Sequence, residues 1–122
     1  VISVDVSGEE GAFTFAVEIA SPDTGCDRYA DWWEVVTPNG DLLYRRILLH
    51  SHVDEQPFAR SGGPVRVASA DDVFVRVHMH PDGYAASGAQ GSAGAGFSPV
   101  NVPPSFAPQL ESAPPLPDDC AF

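Results

Sequence analysis

A chain of 122 residues, 43% of them hydrophobic, can build one core but not two, and no apolar run approaches the length of a membrane-spanning helix. Seventeen acidic residues face six basic ones, all arginine, and the formal charge of -11 opposes approach to nucleic acid or an anionic surface. Neither nucleic acid nor a direct membrane span is therefore expected.

Apolar and polar residues alternate from Val1 to Val6, and again over residues 12 to 19, where Phe13, Phe15, Val17 and Ile19 share one face. That period of two predicts two strands. The Ser21-Pro22-Asp23-Thr24-Gly25 stretch has turn chemistry, and Trp32 to Val36 reads as a third strand with Trp33 in the core. Asn39-Gly40 then signals a hairpin into a fourth strand, from Asp41 to about His52. This strand places Leu43, Ile47, Leu49 and Val53 on one face, and Tyr44, Arg46, Leu48, His50 and His52 on the other.

The Ser61-Gly62-Gly63-Pro64 sequence reads as a break, followed by short strands at Val65 to Ala68 and Val73 to His80. In the latter, Val73, Val75, Val77 and Met79 oppose Phe74, Arg76, His78 and His80. Residues 85 to 96 are almost all Gly, Ala and Ser, with little to bury, and read as a flexible or lining loop before a last strand at Phe97. Six prolines between Pro103 and Pro117 preclude regular pairing and predict an extended arm over the body or on a neighbour.

No segment has a capped helical period. The expected fold is all-β, an immunoglobulin-like antiparallel β-sandwich of about seven strands over residues 1–98, with a Pro-rich C-terminal arm over 99–122.

Cys26 and Cys120 are the only cysteines, and their separation suits one disulfide better than a metal site, where close C-x-x-C spacing is usual. On the chain-entropy argument such a bond contributes about 4–5 kcal/mol. It also implies an oxidising compartment, hence an exported protein: periplasmic, cell-surface or extracellular. The opening of the chain directly into a strand agrees with a mature protein whose export signal has been removed.

All four histidines fall in two steps, His50-Ser51-His52 and His78-Met79-His80. Strand alternation puts the two rings of each step on one face, about 7 Å apart. If the third strand pairs with the fourth on one side and the Val73 strand on the other, both steps reach the end where Asp31 stands. His50, His52, His78, His80 and Asp31 would then form a ligand set for copper, zinc or nickel. The alternative is that each histidine caps a strand through backbone or carboxylate hydrogen bonds.

Catalytic sets are poorly supported. Alternation turns the Ser51 hydroxyl away from both neighbouring imidazoles, and Asp23, Asp27 and Asp31 would raise the pKa of a Cys26 thiol. The arginines read as cross-strand partners of acids rather than an anion site. His50, His52, Glu55 and Gly62 follow the order of the first cupin motif, but only Val53 and Asp54 separate the second His from the Glu. Tyr29, Tyr84 at the tip of the Pro81-Asp82-Gly83-Tyr84 turn, and Phe97 are candidates for a partner-binding rim.

The segments Gly25 to Tyr29, Trp33-Glu34-Val35, Tyr44 to Val65 (YRRILLHSHVDEQPFARSGGPV), Val75 to Tyr84 (VRVHMHPDGY) and Gly91 to Phe97 resemble a family of exported, lipoprotein-like bacterial proteins. The resemblance covers about residues 20 to 98 and implies export and a β domain, with no established activity to carry over. The second step of that family usually reads His-Met-Asn, so His80 is a departure.

These readings combine into a non-enzymatic expectation: an accessory or structural subunit of an envelope or extracellular assembly, with a protein partner or self-assembly and no required cofactor. The alternative is a periplasmic or secreted copper- or zinc-binding protein.

Overall fold

The structure is a computed structural model describing residues 1–118 and 120. Among the described residues nine strands are formed: β1 (Ser3–Glu9), β2 (Ala12–Ile19), β3 (Tyr29–Val36), β4 (Leu42–Ile47), β5 (Phe58–Val65), β6 (Val73–His80), β7 (Gly83–Tyr84), β8 (Ser87–Ser92) and β9 (Gly96–Asn101). A 3-10 turn follows at Pro108–Ser112.

All pairings are antiparallel. One sheet has the order β1-β2-β5, and the other β4-β3-β6-β8-β9 with the short β7 beside β6. This is the immunoglobulin arrangement of A, B and E strands facing C′, C, F and G, extended by β9. Strand β3 lies between β4 and β6, the neighbours its hairpin and alternation imply.

The inner faces make the core. Phe13, Phe15, Val17 and Ile19 of β2 and Phe58 and Val65 of β5 pack against Trp33, Val35, Val73, Val75, Val77 and Met79. Each such side chain contributes roughly 1.5–3 kcal/mol by leaving water. Trp33 is completely buried, as the sequence predicts.

Three expectations change. The Ser61-Gly62-Gly63-Pro64 stretch is no break but lies inside β5. β5 is an edge strand paired only with β2, where a proline lacking an N–H is tolerated. Glycine is favoured at position 63 there because a Cβ would sit 2.7 Å from the Phe13 carbonyl.

The Gly/Ala stretch is also ordered, as the β8–β9 hairpin. Its lack of side chains is what permits the pairing: a Cβ on Gly88 would stand 2.7 Å from the Val75 carbonyl. The last strand accordingly runs past position 98 to Asn101, and the covering arm begins beyond it.

Finally, β4 ends at Ile47 rather than near His52. The Leu48 amide still donates to the Asp31 carbonyl at 2.9 Å, after which the chain leaves the sheet.

Strand β3 is buried at every position, although only one of its faces meets the other sheet. The proline arm covers its second face. The Cys26–Cys120 disulfide, with Cα atoms 5.7 Å apart, ties the far end of that arm to the loop before β3.

Candidate functional site

The most elaborate polar constellation lies on the outer face of the larger sheet, beneath the arm. Register explains its starting point: Ala30 pairs with Met79 and Trp32 with His78, leaving Asp31 as an extra residue. Such a bulge re-aims side chains, and here it brings both Asp31 and Trp32 to His78. The Trp32 and His78 rings stack 3.8 Å apart and 4° from parallel. His78 Nδ1 lies 2.6 Å from Asp31 Oδ1, and Nε2 lies 2.6 Å from Glu111 Oε2 on the arm.

Glu34 is central to the same face. It accepts hydrogen bonds from Trp32 Nε1 at 2.8 Å, Arg45 Nε at 2.9 Å, Arg76 Nε at 2.8 Å and the Tyr84 hydroxyl at 3.3 Å. Both arginines and the glutamate have fully buried side chains. The guanidinium groups lie over aromatic rings, Arg45 4.3 Å from the Trp32 centroid and Arg76 3.6 Å from that of Tyr84.

Two guanidinium charges against one carboxylate would leave a buried positive excess. The arm supplies the balance through its main chain. Arg45 donates to the carbonyls of Leu110 at 2.6 Å, Pro115 at 2.9 Å and Ala113, while Arg76 donates to those of Phe106 at 2.5 Å and Ala107 at 3.0 Å. Five carbonyls on a proline-rich segment that cannot enter a ladder thus find charged donors.

Titration follows from this packing. Burial and the adjacent Glu34 charge push the Tyr84 hydroxyl up to about 12, so it remains a donor. Burial by itself lowers the His78 imidazole, but its hydrogen bonds to Asp31 and Glu111 outweigh that and hold it above its ordinary value. As the imidazolium, His78 donates from both ring nitrogens and bridges sheet to arm.

The other histidine step occupies a separate place. Asp23 Oδ1 accepts from the Ala30 amide at 3.1 Å and Oδ2 from the His52 amide at 2.8 Å, fixing the loop after β4 to the loop before β3. The His52 ring stacks on Phe58 at 3.7 Å, and its Nε2 lies 3.0 Å from an Arg60 Nη2 that donates to it. Burial, and next the Arg60 charge, hold this imidazole below its ordinary value. Its Nδ1 is buried without a hydrogen-bond partner.

Of the proposed ligand set, then, the structure joins only His78 and Asp31. His50 is exposed where the chain has left β4, His52 belongs to the Phe58–Arg60 cluster, and His80 is exposed beside Tyr29 with ring centroids 5.7 Å apart. Among the described residues no group of three or more His, Cys, Asp or Glu is placed to hold a metal. The convergence fails because β4 stops before its histidines.

The partner-rim residues are placed inward as well. Tyr29 and Tyr84 are buried, Tyr84 because Glu34 and Arg76 draw it beneath the arm, and Phe97 packs edge-on against Phe15 at 5.7 Å. The Cys26–Cys120 pairing, by contrast, is as the spacing suggests.

Glu34, Arg45 and Arg76 were not expected at the centre of a site. A charged residue inside the apolar Trp32–Val36 run, with an arginine in each of the two neighbouring strands, was the available signal.

The chain is similar to a protein of Halomicrobium mukohataei named "Putative lipoprotein", at 41% identity over 85 residues. The match covers 69% of this chain but only 42% of that protein, so the chain spans about two fifths of its relative's length. No family model matches the sequence, and no solved structure does.

Proposed function

We propose that this chain is a non-catalytic accessory or structural domain of an exported, envelope-associated protein. The observation that carries this reading is the use made of its polar residues. Glu34, Arg45, Arg76, His78 and Asp31 all bond to one another or to the arm, and so fasten the chain to itself. An enzyme of this size would be expected to keep such groups open to a substrate.

Export is supported by the disulfide, which persists in oxidising compartments, and by the name of the relative. The partial match to a longer protein fits a domain that works beside other segments. Immunoglobulin-type sandwiches commonly serve as such rigid modules.

The test is cell fractionation of the full-length protein carrying this domain, with thiol labelling of Cys26 and Cys120 before and after reduction. Envelope location with both thiols protected is expected. A cytoplasmic protein with both thiols reactive would defeat the proposal.

A further inference from the structure

We infer that the cleft lined by Arg46, Leu48, Leu49, His50, His52 and Arg60 is a binding site for a compact phosphate-type oxyanion. The cleft lies where the edges of β4 and β5 meet and encloses about 200 Å³. It is separate from the arm-covered face and does not depend on the scaffold reading.

Charge distribution is the first argument. Two of the chain's six arginines, Arg46 and Arg60, line this one cleft in a molecule of net charge -11, together with His50 and with His52, whose Nε2 accepts from Arg60. With acids outnumbering arginines almost three to one, each arginine should find a carboxylate. Arg28, Arg45, Arg60 and Arg76 do so. Among the described residues Arg46 and Arg66 have no carboxylate within ion-pairing distance, and of the two only Arg46 lines the cleft.

Pre-organisation is the second. Arg46 Nε donates to the Ser61 carbonyl at 3.0 Å and Nη1 to the Ile47 carbonyl, which fix the guanidinium and, among the described residues, leave Nη2 without an acceptor. A donor already immobilised gives up little entropy on binding. Across the cleft, Arg60 is set by the Ala59 carbonyl at 2.7 Å and by His52 Nε2 at 3.0 Å. Its carboxylate partner Glu55 is 61% exposed at 3.2 Å, a weak pair that an entering anion can displace.

The donors come from separate residues on two strands and a loop. That arrangement suits the several faces of a phosphoryl group better than one planar carboxylate. The exposed Leu49 gives the cleft an aliphatic wall, and Val53 stands exposed on the same loop. The oxyanion is therefore either free phosphate or the phosphodiester of a lipid headgroup whose acyl portion meets this wall.

The experiment uses the full 122-residue chain at low ionic strength. Inorganic phosphate is titrated while the His50 and His52 ring signals are followed by NMR, and vesicles of phosphatidylglycerol are compared with phosphatidylcholine by co-sedimentation. Saturation below about 10 mM phosphate is expected. Arg46→Gln should weaken binding about tenfold or more, and Arg66→Gln, which lies outside the cleft, should leave it unchanged. If Arg46→Gln fails to fold, His50→Gln at an exposed position takes its place.

Saturable phosphate binding with this mutational pattern supports a free-ion site. Binding of phosphatidylglycerol vesicles alone, with the same pattern, supports the site and assigns the headgroup as its source. No binding of either probe, or equal weakening by Arg66→Gln, overturns the inference, the second because it would reveal only a general charge effect.

Discussion

Trp32 and Trp33 are consecutive residues of β3 that serve opposite faces of one sheet. Trp33 is completely buried among aliphatic and aromatic side chains, and its indole N–H has no hydrogen-bond partner. Trp32 is 2% exposed, yet its N–H meets Glu34, its ring carries Arg45 and its face stacks on His78. Equal burial is thus achieved by two different chemistries. The inner face excludes water by shape, while the outer face excludes it with charges whose bonds all close on one another and on the arm.

The largest expected effect tests whether the outer face is as costly to disturb as the core. Glu34→Ala strands two buried guanidinium groups and should destabilise the protein by about 3–5 kcal/mol in urea unfolding. Trp33→Ala should cost a similar ~3–5 kcal/mol through cavity formation. A Glu34→Ala loss below about 1 kcal/mol would mean that water, not Glu34, balances the arginines.

Next is the tether. Cys26→Ser with Cys120→Ser opens a loop with a sequence separation of 94 and should cost about 2–5 kcal/mol, read as a shift in the urea midpoint. If the arginine–carbonyl bonds hold the arm by themselves, amide exchange at Leu110 and Ala113 stays slow in this variant.

The tryptophans can then be compared directly. Trp33→Phe removes an unpaired N–H together with part of the indole ring and should cost about 1 kcal/mol through the cavity left behind. Trp32→Phe takes a donor from Glu34 and should cost about 1–3 kcal/mol. Reversal of that order in thermal unfolding would contradict the division of labour between the faces.

The two histidine steps respond oppositely to pH. His78 is held above its ordinary value, so its contribution is complete below about pH 6.5 and is lost as pH rises through the folded value. His52 is held below, so its contribution is complete above about pH 6.5 and is lost as pH falls toward the folded value. After correction for intrinsic rates, alkaline conditions should speed exchange at Leu110 and Ala113. Acid should speed it at the His52 amide, which is bonded to Asp23. Parallel responses would remove either assignment.

The smallest effect is expected at the surface. Arg28 and Asp82 form an ion pair at 3.1 Å with side chains 49% and 53% exposed. Arg28→Ala should change stability by less than about 1 kcal/mol and become silent in high salt.

The sequence made much of this visible, and the reasons are local. Phe13 to Ile19 and Val73 to Met79 alternate because each strand has one face on the core, so period alone exposes them. The cysteines are visible because only one pairing exists. The Gly88–Gly96 hairpin was hidden because backbone carries it, with no side-chain period to read. The meeting of His78 with Asp31 came from register: one extra residue in β3 decides it. The arm's attachment was hidden for a related reason, since carbonyl acceptors leave no mark on composition.

That last feature bears on how freely the C-terminal segment can diverge. Arg45 and Arg76 read Phe106, Ala107, Leu110, Ala113 and Pro115 through oxygens that every amino acid possesses. The recognition is thus blind to side-chain identity and sensitive only to the path of the main chain. Homologous tails can therefore drift in composition while retaining their course, whereas the glutamate and the two arginines beneath them cannot be exchanged one at a time.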